Sequence, residues 1–545
     1  MTVLINHVGY RPEDAKYCMI GRYATTEFTV MNRATGEVVH TGRMIPDRDP
    51  TMYAVGEFTA VTTPGEYEVQ AVGEKSFPCV IGEGVYDDAL RKMVRYFAMQ
   101  RCGPTSTGYH SPCHLDDGRR WDNGAYQDVS GGWHDANDLR KWVSATIFGM
   151  IGLARVAELH CPDLDRSAIL EELQWGNRYF LHMQEPAGYV MSHCGGDMFI
   201  HSDNNRWTAN KVGDADGRCI DTRPCAPFAQ FCFILAQAAT ARLAQSAEAS
   251  YAEVCREAAL RCLKWCVENK VCVEAGDYGA AVAACVELYR TWGEETHLDL
   301  AADYARELLV LQVRNELGRG NGASGLFVTS RQSMDPFIPN WRGYWPLLGL
   351  CALIDAVPDH PEASGWREGI RAFCEDHLAP VCGLSAFGIA PYGLFLANPG
   401  GGRQVGGPLG GYWYRTFPVP GNHWWVGING NLASAGVGLA QAAHVLDSTR
   451  LRALAQRQLD WIVGLNPYNA STIMAVGHNN PQHMIWGGFE PPTPYIPGAV
   501  MCGIGGTPDD RAYLDPGSYQ TCEYWTPMVC HTMWLMAELS WFEKS

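Results

Sequence analysis

The sequence predicts a multidomain chain: a small all-β sandwich, residues 1–83, followed by a large all-α domain, residues 84–545, whose helices pair into a toroid of hairpins. Three observations predict it. Short alternating or β-branched runs separated by turn signals fill the first part of the chain. Beyond it the apolar spacing changes to the helical period, in segments that start about twelve times. Short connections then alternate with long Gly/Pro/aromatic loops, as when hairpins close at one end of a barrel and functional loops gather at the other. A helical array fits the periodicity nearly as well, but no repeat of fixed period is visible, which argues against a solenoid.

In chain order, the expected strands are Val3–Gly9, Tyr17–Ile20, Glu27–Asn32, Val38–Met44, Tyr53–Ala60 and Gly65–Val72. Turn signals such as Ala34-Thr35-Gly36 and Thr63-Pro64-Gly65 separate them. Helices are expected to begin near Tyr86, Asp138, Asp165, Pro224, Tyr251, Asp277, Thr296, Tyr344, Ala363, Asn429, Ser448 and Thr521. The long loops are 102–134, 186–223, 313–342, 382–427 and 466–520.

Composition narrows the partners. The net charge is −17 and the charges are mixed along the chain. Nucleic acid and anionic membrane both need basic patches, so neither is expected as a partner. No apolar run is long enough to span a membrane, and no signal peptide is visible at the N-terminus. The 20 Cys are scattered, several inside helical patterns such as Cys255, Cys262 and Cys266. That usage suits a reducing compartment, so a cytoplasmic location is the expectation over secretion with a signal removed.

The stretch Asp128–Val143, DVSGGWHDANDLRKWV, organises the rest. A Ser130-Gly131-Gly132 turn leads to Trp133, and Asp135 and Asp138 follow three residues apart. Asp138 reads as the cap of a helix, where the macrodipole steadies a carboxylate. Read for function, two carboxylates on a Gly-lined loop beside a Trp can hold and activate a water; read for structure alone, they are a cap and a turn.

Upstream lie Cys102, Cys113 and His114, and His134 directly precedes Asp135. Two thiolates and two imidazoles make a closed tetrahedral zinc set, which would pin the loop and leave no open position for a substrate. Chance clustering among 20 Cys and 17 His is the competing reading. Far downstream, Ser518–Trp525 carries Glu523 among Tyr519, Tyr524 and Trp525, at the mouth of the last helix. A carboxyl desolvated by aromatics is raised and can donate a proton near neutrality. An acidic residue complementing a helix dipole is the alternative there. Asp214-Ala215-Asp216-Gly217 resembles a fragment of a calcium loop, too short to read as more than a turn with Ca²⁺ as a secondary possibility.

DVSGGWHDANDLRKWV taken with SYQTCEYW, the opening INHVGYRP and NHWWVGINGNLAS (422–434) resembles glycoside hydrolase family nine. The resemblance covers essentially the whole chain. It implies an N-terminal immunoglobulin-like sandwich, an (α/α)6 barrel, and inverting hydrolysis of β-1,4-glucosidic bonds in cellulose-like glucans or their oligosaccharides. It makes Asp138 the general base, Asp135 its water-holding partner and Glu523 the general acid, with the two acting carboxyls roughly 6.5–9.5 Å apart. It also implies structural zinc on Cys102, Cys113, His114 and His134.

The sequence departs from the family pattern in the cleft. Asn480-Pro481-Gln482-His483-Met484 stands where a Pro-His-His-Arg stretch is usual, and Cys522 replaces the Asn that commonly precedes the acid. Candidate platforms for sugar rings are Trp133, Trp341, Trp413, Trp424 and Trp425, with Arg415 and His483 as candidate hydroxyl contacts. Three alternatives stay open: an exo-acting hydrolase of short cello- or glucosamine-oligosaccharides, a zinc hydrolase using the Cys/His cluster, and a non-catalytic carbohydrate-binding protein.

Overall fold

A computed structural model of the chain describes residues 2–21, 25–47, 53–159, 164–196, 206–214, 216–316, 319–405, 411–421, 425–485 and 492–541. The N-terminal strands are β1 (Tyr17–Gly21), β2 (Thr26–Asn32), β3 (Val38–Pro46), β4 (Tyr53–Glu57), β5 (Gly65–Ala71), β6 (Glu74–Lys75) and β7 (Cys79–Ile81). They pair antiparallel in the order β1-β4-β3-β2-β5-β6, and β7 pairs with the start of β5, at Gly65–Tyr67. Alternation does the work expected of it: Tyr67, Val69 and Ala71 of β5 point inward with Phe28 and Val30 of β2, while Glu66, Glu68 and Gln70 point out.

Val3–Gly9 is not a strand. Leu4 makes one isolated bridge to Met19, and the Asn6 side chain then accepts the backbone N–H of Val8 (2.8 Å) and Gly9 (2.9 Å), turning the chain away. That turn docks the sandwich on the helical domain. Asn6 Nδ2 donates to Asp460 (2.9 Å), Arg11 donates to the Leu539 carbonyl (2.7 Å), and Arg452 pairs with Asp14 (3.0 Å).

The helical domain opens with α1 (Asp87–Met99), α2 (Val143–Glu158), α3 (Arg166–His182), α4 (Pro227–Ala244), α5 (Ala249–Glu268), α6 (Ala275–Trp292) and α7 (Glu295–Val310). It continues with α8 (Trp345–Ala356), α9 (Ala363–Arg371), α10 (Ala379–Cys382), α11 (Asn429–Leu446), α12 (Thr449–Ile462), α13 (Tyr519–Cys522) and α14 (Thr526–Trp541). The helices α2, α4, α6, α8, α11 and α14 each touch the next and close a ring. Their sequences say why. PFAQFCFILAQAATARLA of α4 is apolar or small on every side and is buried almost throughout. The outer α5 buries only the stripe Ala252, Cys255, Ala258, Ala259, Cys262, Leu263 and Cys266. This is the (α/α)6 barrel. Among the described residues no helix is long and apolar enough to cross a membrane.

Two further differences from the sequence reading matter for the site. The helix expected from Asp138 starts at Val143. Leu139 takes a left-handed φ of 60°, and Lys141–Trp142 pairs as a short strand with Met191–Gly195, so Asp138 sits on a turn and caps nothing. The long loops also carry small sheets, such as Gly393–Phe395 with Arg403–Val405 and Tyr412–Arg415. Strands of two to six residues are too short to show alternation.

Asp460 gives a pH-dependent contact at the domain junction. It is fully buried, and its Oδ1 accepts from Asn6 and from Gln456 Nε2 (2.8 Å). Burial pushes its carboxyl up to about 7, against about 3.9 in an unfolded chain. A carboxyl raised by folding stabilises the protein below its unfolded pKa, and that contribution is lost as pH climbs through the folded one. Asp460→Asn keeps the acceptor and removes the proton. Thermal melts from about pH 5 to pH 8 should therefore show the wild-type Tm falling relative to the variant. Parallel curves would contradict this.

Candidate active site

The loop before α2 is built to hold one shape. Asp128 Oδ1 accepts the Ser130 N–H (2.9 Å) and hydroxyl (2.6 Å). Gly132 then turns with φ 71° at a point where a Cβ would lie 2.6 Å from that of Tyr179. Trp133 is driven into the core, its ring against Gly176 and its Nε1–H donating to Glu172 (2.7 Å). Lys141, itself buried, donates to the carbonyls of Val129 (2.7 Å) and Gly131 (3.2 Å) and pairs with Asp117 (2.9 Å), which also pairs with Arg218 (2.6 Å). The two cations hold the Asp117 carboxyl below its usual range against its burial.

With the loop fixed, Asp135 and Asn137 meet the chain nearly four hundred residues on. The Asp135 carbonyl accepts both the N–H (2.9 Å) and the hydroxyl (3.0 Å) of Thr526, the first residue of α14. Asp135 Oδ2 accepts the Trp525 indole N–H (2.9 Å), while Oδ1 is buried with no hydrogen-bond partner among the described residues. The Asn137 N–H donates to Glu523 Oε1 (3.2 Å), and Asn137 Nδ2 donates to the Met484 carbonyl (3.1 Å). Glu523 lies on the extended link between α13 and α14, not inside a helix. Asp138, partly exposed, accepts the Arg140 N–H (3.2 Å).

The acids feel one another. Burial pushes the Glu523 carboxyl well above the usual range, and the charges of Asp138 and Asp135 push it further. Asp135 is likewise raised by burial and then by Asp138, against the Trp525 hydrogen bond. Each of these acids thus disfavours ionisation of the others.

Beside the loop, Cys102, Cys113, His114 and His134 are all buried with their ligand atoms within 4.8 Å of one another. Cys102 Sγ lies 3.5 Å from His114 Nδ1, Cys113 Sγ lies 3.7 Å from His134 Nε2, and the two nitrogens are 3.3 Å apart. Tetrahedral bonds of about 2.3 Å to sulfur and 2.0–2.1 Å to nitrogen require separations of roughly 3.3–3.8 Å, so the residues fit such an ion. Outer contacts fit as well. His114 Nε2–H donates to the Arg206 carbonyl (2.7 Å), leaving Nδ1 to ligate, and Arg218 reaches Cys102 Sγ at 3.8 Å. Burial drops His134 to about 3, the neutral form a ligand needs. A second group, Asp116, Asp214 and Asp216, also brings its oxygens within 4.8 Å.

The expected sugar contacts fare unevenly. Trp341 is half-buried, 4.7 Å from the Trp525 ring, and so borders the Asp135 gap. Trp413 is partly exposed on the strand Tyr412–Arg415. Trp133 is no platform, because both faces are spent in the core. Trp425 is buried against Gly505. Arg415 is also structural: it is fully buried and donates to the carbonyls of Phe417, Pro508 and Thr507. His483 is buried with Nε2 on the Thr493 carbonyl (3.2 Å), not presented to a ligand. Trp424 lies outside the described residues. Sequence reading missed Asp117, Lys141, Glu172 and Arg218, whose partners sit tens of residues away and leave no local pattern.

Two family models match the chain: the cellulase N-terminal ig-like domain over residues 1–76 and glycosyl hydrolase family 9 over residues 86–534. Endoglucanase D of Acetivibrio thermocellus is 26% identical over 355 residues, covering 56% of this chain and 55% of the relative. The chain spans about half the length of the curated relatives that it matches first. A solved Bacteroides ovatus family 9 structure superposes with TM-score 0.72 at 18% identity over 99% of both chains. A Zn-binding triple mutant of a family 9 endoglucanase superposes with TM-score 0.69 at 19% identity, covering 97% of this chain and 99% of that one. With a family model matched over most of its length, the chain belongs to glycosyl hydrolase family 9.

Proposed function

We propose that the protein is an inverting hydrolase of β-1,4-glucosidic bonds in β-glucan or its oligosaccharides. The observation that carries this is the docking of the Glu523 carboxyl on the Asn137 N–H, which sets it facing the Asp135–Asp138 loop. Glu523, kept protonated by burial and by its acidic neighbours, donates to the leaving oxygen. Asp138 takes a proton from the water that attacks the opposite face of the anomeric carbon. Asp135, anchored through Oδ2, offers its free Oδ1 to that same water. Trp341 at the edge of the gap supplies an aromatic face for a sugar ring.

Cys102, Cys113, His114 and His134 would hold zinc, and four protein ligands leave it a structural ion that pins the loop before Asp135. Asp116, Asp214 and Asp216 offer the hard oxygens that calcium takes. Endoglucanase D and the zinc-binding structure support the substrate class and the metal, as relatives.

The same chemistry serves an exo-acting enzyme on short oligosaccharides, which the altered segment Asn480–Met484 favours: His483 is turned inward and no Arg follows it. A panel of β-glucan, cello-oligosaccharides and chitosan oligosaccharides decides. Rapid loss of polymer viscosity supports endo cleavage of glucan. Release of single units from oligosaccharide ends supports the exo reading, and turnover of none of them overturns both.

A further inference from the structure

The turn after Asp138 brings a cation onto the proposed base. Leu139 takes its left-handed φ of 60° and donates its N–H to the Ala136 carbonyl (3.3 Å), so the chain doubles back. Arg140 then meets both acids of the loop. Its N–H donates to Asp138 Oδ1 (3.2 Å), its Nε lies 3.7 Å from Asp138 Oδ2, and its carbonyl accepts the Asp135 N–H (2.9 Å). At 3.7 Å the side-chain contact is an ion pair and not a hydrogen bond. A fully exposed pair of this kind would count for little, but the side chains of Arg140 and Asp138 are only 20% and 22% exposed.

The guanidinium is held in place from two sides. Its stem lies across Gly195, in the strand Met191–Gly195, where a Cβ would stand 3.0 Å from Arg140 Cγ and 3.2 Å from Cδ. One residue earlier, Arg218 donates to the Leu139 carbonyl while paired with Asp117.

The proposed chemistry needs a charge on Asp138 and a proton on Glu523. Glu523 and Asp135 are raised by burial and then by the other acids. Arg206 opposes this at Glu523, after the Asn137 N–H, and Arg140 opposes it at Asp135, after the Trp525 indole. At Asp138 the ion pair with Arg140 is direct. His193, on the strand paired with Lys141–Trp142, is pushed down to about 4 by burial, with the Arg140 charge acting in the same direction, so it stays neutral. Beyond it, Asp221 is paired with Arg223 (2.7 Å).

We propose that Arg140 is the positioning residue of the general base, aiming the Asp138 carboxylate and directing the negative charge of the three-acid cluster to it. Its backbone N–H fixes one carboxylate oxygen, and its guanidinium sits beside the other. An opposite charge this near favours the ionised carboxylate. The inference rests on the reading of Asp138 as the base.

The test is the pH–rate profile of the full chain on a cello-oligosaccharide. Three variants are compared with wild type: Arg140→Met, which keeps the stem over Gly195, Arg140→Gln, which keeps a donor, and Arg140→Lys, which keeps the charge. The acid limb reports ionisation of the base. In Arg140→Met and Arg140→Gln it should move to higher pH by about 1 unit or more, with kcat down about tenfold or more and KM little changed. Arg140→Lys should bring the limb back toward wild type. An acid limb that stays put in a folded uncharged variant overturns the proposal, as does one that Arg140→Lys displaces equally. A rise in KM alone would make Arg140 a sugar contact, and collapse of both uncharged variants in thermal melts would make it a residue of the fold; either result also overturns it. Asp138→Asn separates the two readings. If it turns over like wild type, the base assignment fails; if it is inactive while the acid limb of the Arg140 variants is unmoved, only the part given to Arg140 fails.

Discussion

Glu523→Gln is expected to lower kcat on its best β-glucan substrate by about 10²–10⁴-fold, the usual contribution of a positioned general acid. The amide keeps the shape and can still accept the Asn137 N–H, so the fold and the loop contact survive. What disappears is the proton for the leaving oxygen. The wild-type pH profile carries the same signature. Glu523 is raised by burial and by the charges of Asp138 and Asp135, and it must be protonated to act. Activity therefore falls as pH rises through that raised value, and this alkaline limb vanishes in the Gln variant. Asp138→Asn should lose a comparable factor for the complementary reason, since an amide cannot take the proton of water. Turnover close to wild type in either variant, with circular dichroism unchanged, would remove the acid–base assignment.

Loss of the Cys102, Cys113, His114 and His134 cluster is expected to have the second large effect, on stability instead of chemistry. Cys113→Ser, or prolonged chelation, should lower Tm by about 10 °C or more, because the binding energy of a structural ion is folding energy. The loop that the four residues tie down carries Asp135 one residue beyond His134, so the catalytic loop is the segment released. At 25 °C, below the shifted transition, chelated protein should retain most of its turnover. Immediate loss of turnover at unchanged Tm would instead assign the cluster a direct part in catalysis. Metal content by elemental analysis before and after chelation completes the measurement.

How much of this was legible in the sequence depends on the range of the forces involved. The sandwich and the barrel announce themselves through local periodicity. Tyr67-Glu68-Val69 alternates, α4 is apolar on all sides, and α5 is striped. The site's residue types were also visible, since Cys102, Cys113, His114 and His134 converge as expected and Glu523 faces the Asp135 loop. The local context of Asp138 was misread, because Lys141–Trp142 pairs with a strand fifty residues later and delays the helix to Val143. Sugar platforms were the weakest part. An exposed Trp and a core Trp look alike in a loop sequence, and only the glycines that Trp133 and Trp425 pack against separate them. Arg415 shows the same limit: its carbonyl partners come from Thr507 and Pro508, about ninety residues away.

The most direct test of the account is the anomeric configuration of the first product. Proton NMR of a cello-oligosaccharide digest, recorded within the first minutes before mutarotation, should show the α-anomer appearing first. That outcome requires water to attack opposite the leaving group, with Asp138 and Glu523 on either side of one bond. Initial release of the β-anomer would mean a covalent intermediate and a nucleophile in place of a base, and it would contradict the central claim.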